Sequence, residues 1–183
     1  NMKNFAPHFH LSLQSGSNAV LKKMNRHYTR EEYAEKVDLV RKYFPDAGIT
    51  TDIIVGFPTE TERNFNETME LVDKVKFSDI HPFIFSPRQG TVAYKMQDLP
   101  SQIKQERQNL LMQKKQQVKL EFINSIIGTT QDFLFEEVKD GYYTGYSGNY
   151  VRLYVKDYID NGKINKVRVI QPFNDGAIAE MIQ

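Results

Sequence analysis

Three short segments carry the side chains with most chemistry to offer. The first, Gln14-Ser15-Gly16-Ser17, gathers an amide and two hydroxyls around a glycine that permits close backbone approach. Such a turn suits a carboxylate or a ribose, and equally an ordinary capped helix start. The second, Thr50-Thr51-Asp52-Ile53-Ile54-Val55-Gly56-Phe57-Pro58, carries a Thr-Asp pair on an apolar run. Apolar backbone beside a ligand suits an adenine. Asp52 could accept from ribose hydroxyls, pair with Arg26 or Arg88, or be satisfied by a neighbouring backbone group. The third, Ser86-Pro87-Arg88-Gln89-Gly90-Thr91, fixes a guanidinium on a rigid turn. There it can clamp a carboxylate or phosphate in bidentate fashion, or merely cap the loop.

A fourth group interleaves aromatics with cations. Tyr150, Arg152, Tyr154 and Lys156 share one face of a period-two segment, with Tyr142, Tyr143, Tyr146, Lys166 and Arg168 nearby in sequence. Stacking on bases plus attraction to phosphate is how small sheets hold RNA, and a solvated strand face is the plainer reading. His8, His10, His27 and His81 have no metal-ligand spacing, so packing or substrate contact is expected of them and no metal site. Lys104, Arg107, Lys114, Lys115 and Lys119 read as a solvated helix face.

These residues need elements to hold them. His10 to Leu13 reads as a strand, and Ser17 as the N-cap of a helix carrying Val20, Leu21 and Met24. Thr29 and Glu32 form a capping box before Tyr33, Val37, Val40 and Phe44, and Pro45 and Gly48 end that helix. Ile49 to Val55 is apolar enough to expect a parallel strand covered on both faces. A helix with Phe65, Met69, Val72 and Val75 follows, then a strand from Ile80 to Phe85. Strands alternating with helices imply parallel βαβ units. Ser101 to Ile127 reads as a long polar connecting helix. Beyond Gly128 the period becomes two, with turns at Asp140-Gly141, Asn161-Gly162 and Asp175-Gly176, the pattern of a small antiparallel barrel.

Composition narrows the classes. The chain has 183 residues and no cysteine, so it offers no disulfide, thiolate metal site or cysteine nucleophile. No apolar run is long enough to span a bilayer, so no membrane partner is expected. The net charge is only +1, with 18 basic against 15 acidic residues up to Asn124 and 6 against 8 beyond it. Any basic surface must therefore come from local arrangement.

Four motifs together resemble one family. They are His8-Phe9-His10-Leu11-Ser12-Leu13-Gln14-Ser15-Gly16, Leu21-Lys22-Lys23-Met24-Asn25-Arg26 with Tyr28-Thr29, Thr50 to Pro58, and Ser86-Pro87-Arg88 with Gly90-Thr91. In order and spacing they resemble the radical S-adenosylmethionine (SAM) tRNA methylthiotransferases, in particular the MtaB-like branch related to MiaB. The tail, with Gly145-Tyr146-Ser147-Gly148-Asn149-Tyr150-Val151-Arg152, is similar to the TRAM domain of that branch.

The resemblance implies α/β plus a small β-barrel. Residues 1–100 would be the C-terminal half of a (β/α)6 partial barrel, 101–127 a connecting helix, and 128–183 an antiparallel TRAM domain that binds RNA. It implies a parent enzyme using SAM and two 4Fe-4S clusters. That enzyme reduces the sulfonium to a 5'-deoxyadenosyl radical and methylthiolates C2 of an adenosine beside the anticodon. The MtaB-like branch takes the N6-threonylcarbamoyl form. The alternatives are the N6-isopentenyl form, or a non-catalytic RNA-binding module.

Gln14, Ser15, Gly16, Ser17 and Arg26 would lie near the methionyl and ribose parts of SAM. Thr51, Asp52, Val55, Gly56 and Phe57 would flank the adenosine, with Arg88 toward the substrate. Tyr146, Tyr150, Arg152, Lys166 and Arg168 would meet RNA. The partners implied are tRNA and the missing N-terminal domains of the same polypeptide, in the cytoplasm. Without cysteines the chain alone is expected to be inactive, and its uncovered sheet surface to invite self-association. Thr59 departs from the family, where glycine usually follows Gly-Phe-Pro.

Overall fold

The computed structural model describes residues 5–157, 159 and 162–182. The first unit runs β1 (His8–His10), α1 (Asn18–Lys23), α2 (Arg30–Tyr43), β2 (Gly48–Val55), α3 (Glu62–Val75) and β3 (Asp79–Ile84). The strands are parallel in the order β1-β2-β3. α2 begins where its capping box predicts: Thr29 Oγ1 accepts from Glu32 N–H, and the Glu32 carboxylate accepts from Thr29 N–H. Thr61 and Asn64 do the same for α3.

Two strand expectations shift. β1 covers His8–His10 rather than His10–Leu13. Leu11 and Gln14 still bond to Thr50 and Asp52 carbonyls, but Gln14 takes a φ of 68°, which turns the chain out of the ladder. Nor is β2 covered on both faces. Ile49, Ile53, Val55 and Ile80 are fully buried in the same core as Tyr33, Val37, Phe65 and Val72 of α2 and α3. The alternate residues Asp52 and Ile54 are only partly buried, and Phe83 beside Ile54 is 51% exposed. Strand alternation sends every second side chain away from the helices, so one face stays open.

A short 3-10 turn at Val92–Lys95 leads to α4 (Ser101–Ser125). This helix does not present a solvated cationic face. Lys104 and Arg107 are each 8% exposed. Lys104 pairs with Asp98 at 2.6 Å, Arg107 with Glu60 at 2.7 Å, Lys114 with Asp73 at 2.8 Å and Lys115 with Asp79 at 3.1 Å, while Lys119 lies 3.7 Å from Asp79. Leu111 and Val118 enter the α/β core, whereas Ile123, and Ile126 just past the helix, enter the second core. Both sides of the helix are used, which is why it shows no simple apolar stripe.

β4 (Thr130–Lys139), β5 (Tyr142–Ser147), β6 (Arg152–Val155), β7 (Ile164–Phe173) and β8 (Gly176–Met181) close a barrel in the order β4-β5-β6-β8-β7. Phe133, Leu153, Val155, Val167 and Val169 fill it. The barrel is mixed rather than antiparallel, because β6 and β8 run parallel. Five strands around a closed ring cannot alternate direction throughout, so one neighbouring pair must be parallel. The turn expected at Asn161-Gly162 includes Asn161, which lies outside the described residues.

Candidate functional site

A cleft of about 640 Å³ opens beyond the carboxyl ends of β1, β2 and β3, where parallel sheets expose loops and free backbone donors. Gln14, Arg26, Asp52, Phe57, Phe85 and Arg88 all line it, with Lys23, Met24 and Asn25. Five of the residues expected at the cofactor or substrate thus converge on one site: Gln14, Arg26, Asp52, Phe57 and Arg88. Two of the lining residues, Gln14 (φ 68°) and Asn25 (φ 58°), hold left-handed backbone without being glycine, a strain that concentrates at functional sites. Phe57 and Phe85 meet edge to face at 5.2 Å and form an apolar wall. Among the described residues, Lys23, Arg26 and Arg88 have no carboxylate within ion-pair distance, unlike every cation of α4.

The other residues expected at the cofactor, Ser15, Gly16, Ser17, Thr51, Val55 and Gly56, do not line the cleft and are structural in this chain. Ser15 and Ser17 are 1% and 0% exposed. The Ser15 hydroxyl accepts from Ser17 N–H, and the Ser17 hydroxyl donates to Glu67 and accepts from Asn64 of α3. Ser17 stands at the start of α1 but makes no side-chain cap, since α3 has engaged its oxygen. A Cβ on Gly16 would lie 2.6 Å from Thr68 Cα, so this glycine lets α3 approach the turn. Thr51 Oγ1 accepts from Leu13 N–H and donates to the Leu11 carbonyl, tying the turn to β2. Val55 points into the core, and Gly56 (φ 74°) gives its N–H to the Glu60 carboxylate at 2.8 Å. Thr59 is exposed and is not among the positive-φ residues, so threonine costs the turn no backbone strain.

Asp52 pairs with neither Arg26 nor Arg88. Its carboxylate accepts from Ser12 Oγ at 2.8 Å and lies 3.1 Å from His10 Nε2. Partial burial pushes its pKa up, but the Ser12 and His10 hydrogen bonds outweigh this and hold it below the ordinary value. His8 and His10 both contact Thr50 Oγ1, at 3.1 and 3.0 Å. The His8 pKa is lowered by burial first, then by His10 and His81. These histidines occupy the open sheet face, and no cluster suited to a metal ion occurs among the described residues.

The barrel residues expected on one RNA-facing surface divide. Tyr150 stacks on His8 at 4.6 Å and on Tyr146 at 4.6 Å, and Arg152 lies over the Tyr146 ring. The stack lines a cavity of about 350 Å³ between barrel and sheet. Arg152 is further engaged by Glu137 at 3.0 Å and Asp175 at 3.8 Å. Tyr154 is 6% exposed rather than on an open face, and it donates to Asp175. Burial first, and then that carboxylate, push its hydroxyl pKa up to about 12. Lys166 is exposed but pairs with Asp132, and Arg168 is exposed with no carboxylate partner among the described residues.

Sequence reasoning gave Glu60 no role and misassigned Arg107. For Arg107 the signal is helical spacing: Lys104, Arg107, Leu111 and Val118 recur at 3, 4 and 7 on one face, and two of them are apolar.

Residues 1–72 match the family model of the radical SAM superfamily. The chain is 42% identical over 184 residues to "Threonylcarbamoyladenosine tRNA methylthiotransferase MtaB" of Thermotoga maritima, covering 97% of this chain and 42% of that protein. The protein of the same name from Bacillus subtilis is 36% identical, over 96% of this chain and 41% of its own length. "tRNA-2-methylthio-N(6)-dimethylallyladenosine synthase" of Aquifex aeolicus is 39% identical, over 95% and 41%. This chain is related to the radical SAM tRNA methylthiotransferases. It spans about two fifths of the length of these relatives.

The kinship implies SAM and iron-sulfur clusters. The cleft fits the first: an aromatic wall for a purine beside cations for a carboxylate. The chain does not fit the second, because without cysteine it supplies no thiolate ligand.

Proposed function

We propose that this chain forms the cofactor-facing and RNA-facing part of an enzyme that methylthiolates C2 of N6-threonylcarbamoyladenosine beside the anticodon of tRNA. The observation that carries this reading is the cleft, with Lys23, Arg26 and Arg88 around one wall of Phe57 and Phe85. SAM, when bound, supplies the reactive group. This chain's own residues bind and orient. Phe57 and Phe85 face the adenine, and one cation takes the methionyl carboxylate. The remaining cations suit the second carboxylate that a threonylcarbamoyl group brings and an isopentenyl group lacks.

In this reading the three parallel strands are half of a six-stranded partial barrel. Residues 1–100, 101–127 and 128–183 are its half barrel, linking helix and TRAM domain. The remaining strands and cluster ligands come from another part of the same polypeptide, which meets the open face holding His10, Asp52 and Phe83. The chain alone performs no turnover. The cytoplasm, where tRNA is modified, is its place of action.

The test is nucleoside mass spectrometry on tRNA from cells lacking the full-length gene and complemented with it. Gain of the methylthio group on threonylcarbamoyladenosine is expected. Gain on isopentenyladenosine alone would replace the substrate assignment. No gain on either would leave an RNA-binding module.

A further inference from the structure

The second cleft turn is held from a distance by α4. Glu60 has a side chain 1% exposed, and its carboxylate does two things: it accepts the Gly56 N–H at 2.8 Å and pairs with Arg107 at 2.7 Å. The same Arg107 nitrogen donates to the Glu60 carbonyl at 3.0 Å. The Arg107 guanidinium also lies 5.7 Å from the Phe65 ring, which fixes it against α3. One turn earlier on α4, Lys104 packs its chain on Gly56, so close that a Cβ there would lie 2.4 Å from Lys104 Cγ. Its ammonium group reaches toward the Phe85 carbonyl at 3.5 Å. The two aromatic residues of the cleft wall, Phe57 and Phe85, thus each sit next to a backbone group that α4 grips.

Burial weighs against a charged Glu60, raising its pKa, and the Gly56 N–H and Arg107 oppose that rise. A buried carboxylate with only a backbone N–H for company would be costly, so Arg107 keeps Glu60 aimed at Gly56. Gly56 takes the φ of 74° that the turn requires.

We propose that Arg107 is a positioning residue for the purine end of the cofactor cleft, acting through Glu60 on the Gly56-Phe57 backbone. This rests on the reading of the cleft as a SAM site. Arg107 touches no cleft ligand itself, since it does not line the cleft.

The experiment uses the full-length polypeptide with its clusters, titrated calorimetrically with S-adenosylhomocysteine, together with hydrogen exchange of the segment from Gly56 to Glu60. Arg107→Gln should weaken binding by about tenfold and speed exchange in that segment, and Arg107→Lys should recover most of both. Leu111→Ala lies on the same helix and destabilises the core without touching Glu60; it should leave affinity within about twofold. Equal affinity in wild type and Arg107→Gln overturns the inference alone. Equal losses in Arg107→Gln and Leu111→Ala overturn it too, by showing a general effect of stability. Failure of the wild type to bind S-adenosylhomocysteine removes the cofactor reading, and this inference with it. If Arg107→Gln does not fold, Glu60→Gln, which removes the carboxylate that Arg107 holds, takes its place against Leu111→Ala and is judged by the same criteria.

Discussion

The cleft beyond the strand ends and the cavity beneath the barrel are both lined by aromatics and cations, yet they are built in opposite ways. In the cleft, Lys23, Arg26 and Arg88 stand without carboxylate partners among the described residues. In the cavity, Lys119 lies near Asp79, Arg152 is held by Glu137 and Asp175, and the Tyr146, Tyr150 and His8 rings stack on one another. Unpaired charge leaves interaction energy for a ligand; paired charge and stacked rings have already used it internally. In the proposed reading the cleft is the receptive site, and the cavity is a joint between the two units.

If the cavity is a joint, the units should unfold together. Phe77 and Phe133 are both 0% exposed, one in each core, and α4 contributes to both. Phe77→Ala and Phe133→Ala should each cost about 3–5 kcal/mol. Thermal unfolding followed by circular dichroism should stay a single transition in each. A second, unshifted transition in Phe133→Ala would mean the barrel is attached rather than joined.

The next contrast concerns cations. Arg26 and Arg88 are exposed, so replacing both with Ala should move stability by less than about 0.5 kcal/mol. Binding of S-adenosylhomocysteine to the full-length protein should fall by about tenfold or more. Arg152→Ala should behave in reverse, costing about 1 kcal/mol through lost ion pairs and ring packing and leaving that affinity unchanged. Unchanged affinity in the first variant, or lost affinity in the second, would erase the distinction between receptive cleft and joint.

Much of this arrangement is legible in the chain. Thr29 with Glu32 marks a helix start because the capping box is a local bargain between two side chains and two backbone groups. Val151, Leu153 and Val155 announce a barrel strand by period alone, and their burial follows. The cleft residues Gln14, Asp52, Phe57 and Arg88 were found because turn chemistry at strand ends is also local. Long-range pairing was not legible. Nothing around Arg107 says that its partner is Glu60, 47 positions earlier, and a run of Lys and Arg on a helix reads the same whether it meets water or Asp73, Asp79 and Asp98. The stacking of Tyr150 on His8 was illegible for a similar reason, since period two cannot tell a solvated strand face from one that meets another unit.

The smallest expected effect follows from His8, which sits where the two units meet. It stacks on Tyr150 from the barrel and contacts Thr50 Oγ1 of β2. His10 and His81 face it from the sheet, and Lys119, Arg152, Asp79 and Asp175 share its cavity. Its pKa in the folded chain lies below the ordinary 6.5, by burial first and by the neighbouring histidines second. Between the two values the unfolded chain binds more protons than the folded one, so stability rises with pH through that window. The contribution is complete above about pH 6.5 and is lost as pH falls toward the folded value. The wild-type melting temperature should therefore drop between about pH 7.5 and pH 5.5 by more than that of His8→Gln, which cannot charge. Asp52, also lowered, adds loss of the same sign only below its ordinary 3.8, outside that range. Parallel curves for the two proteins would show that the ring stack tolerates a charged imidazole.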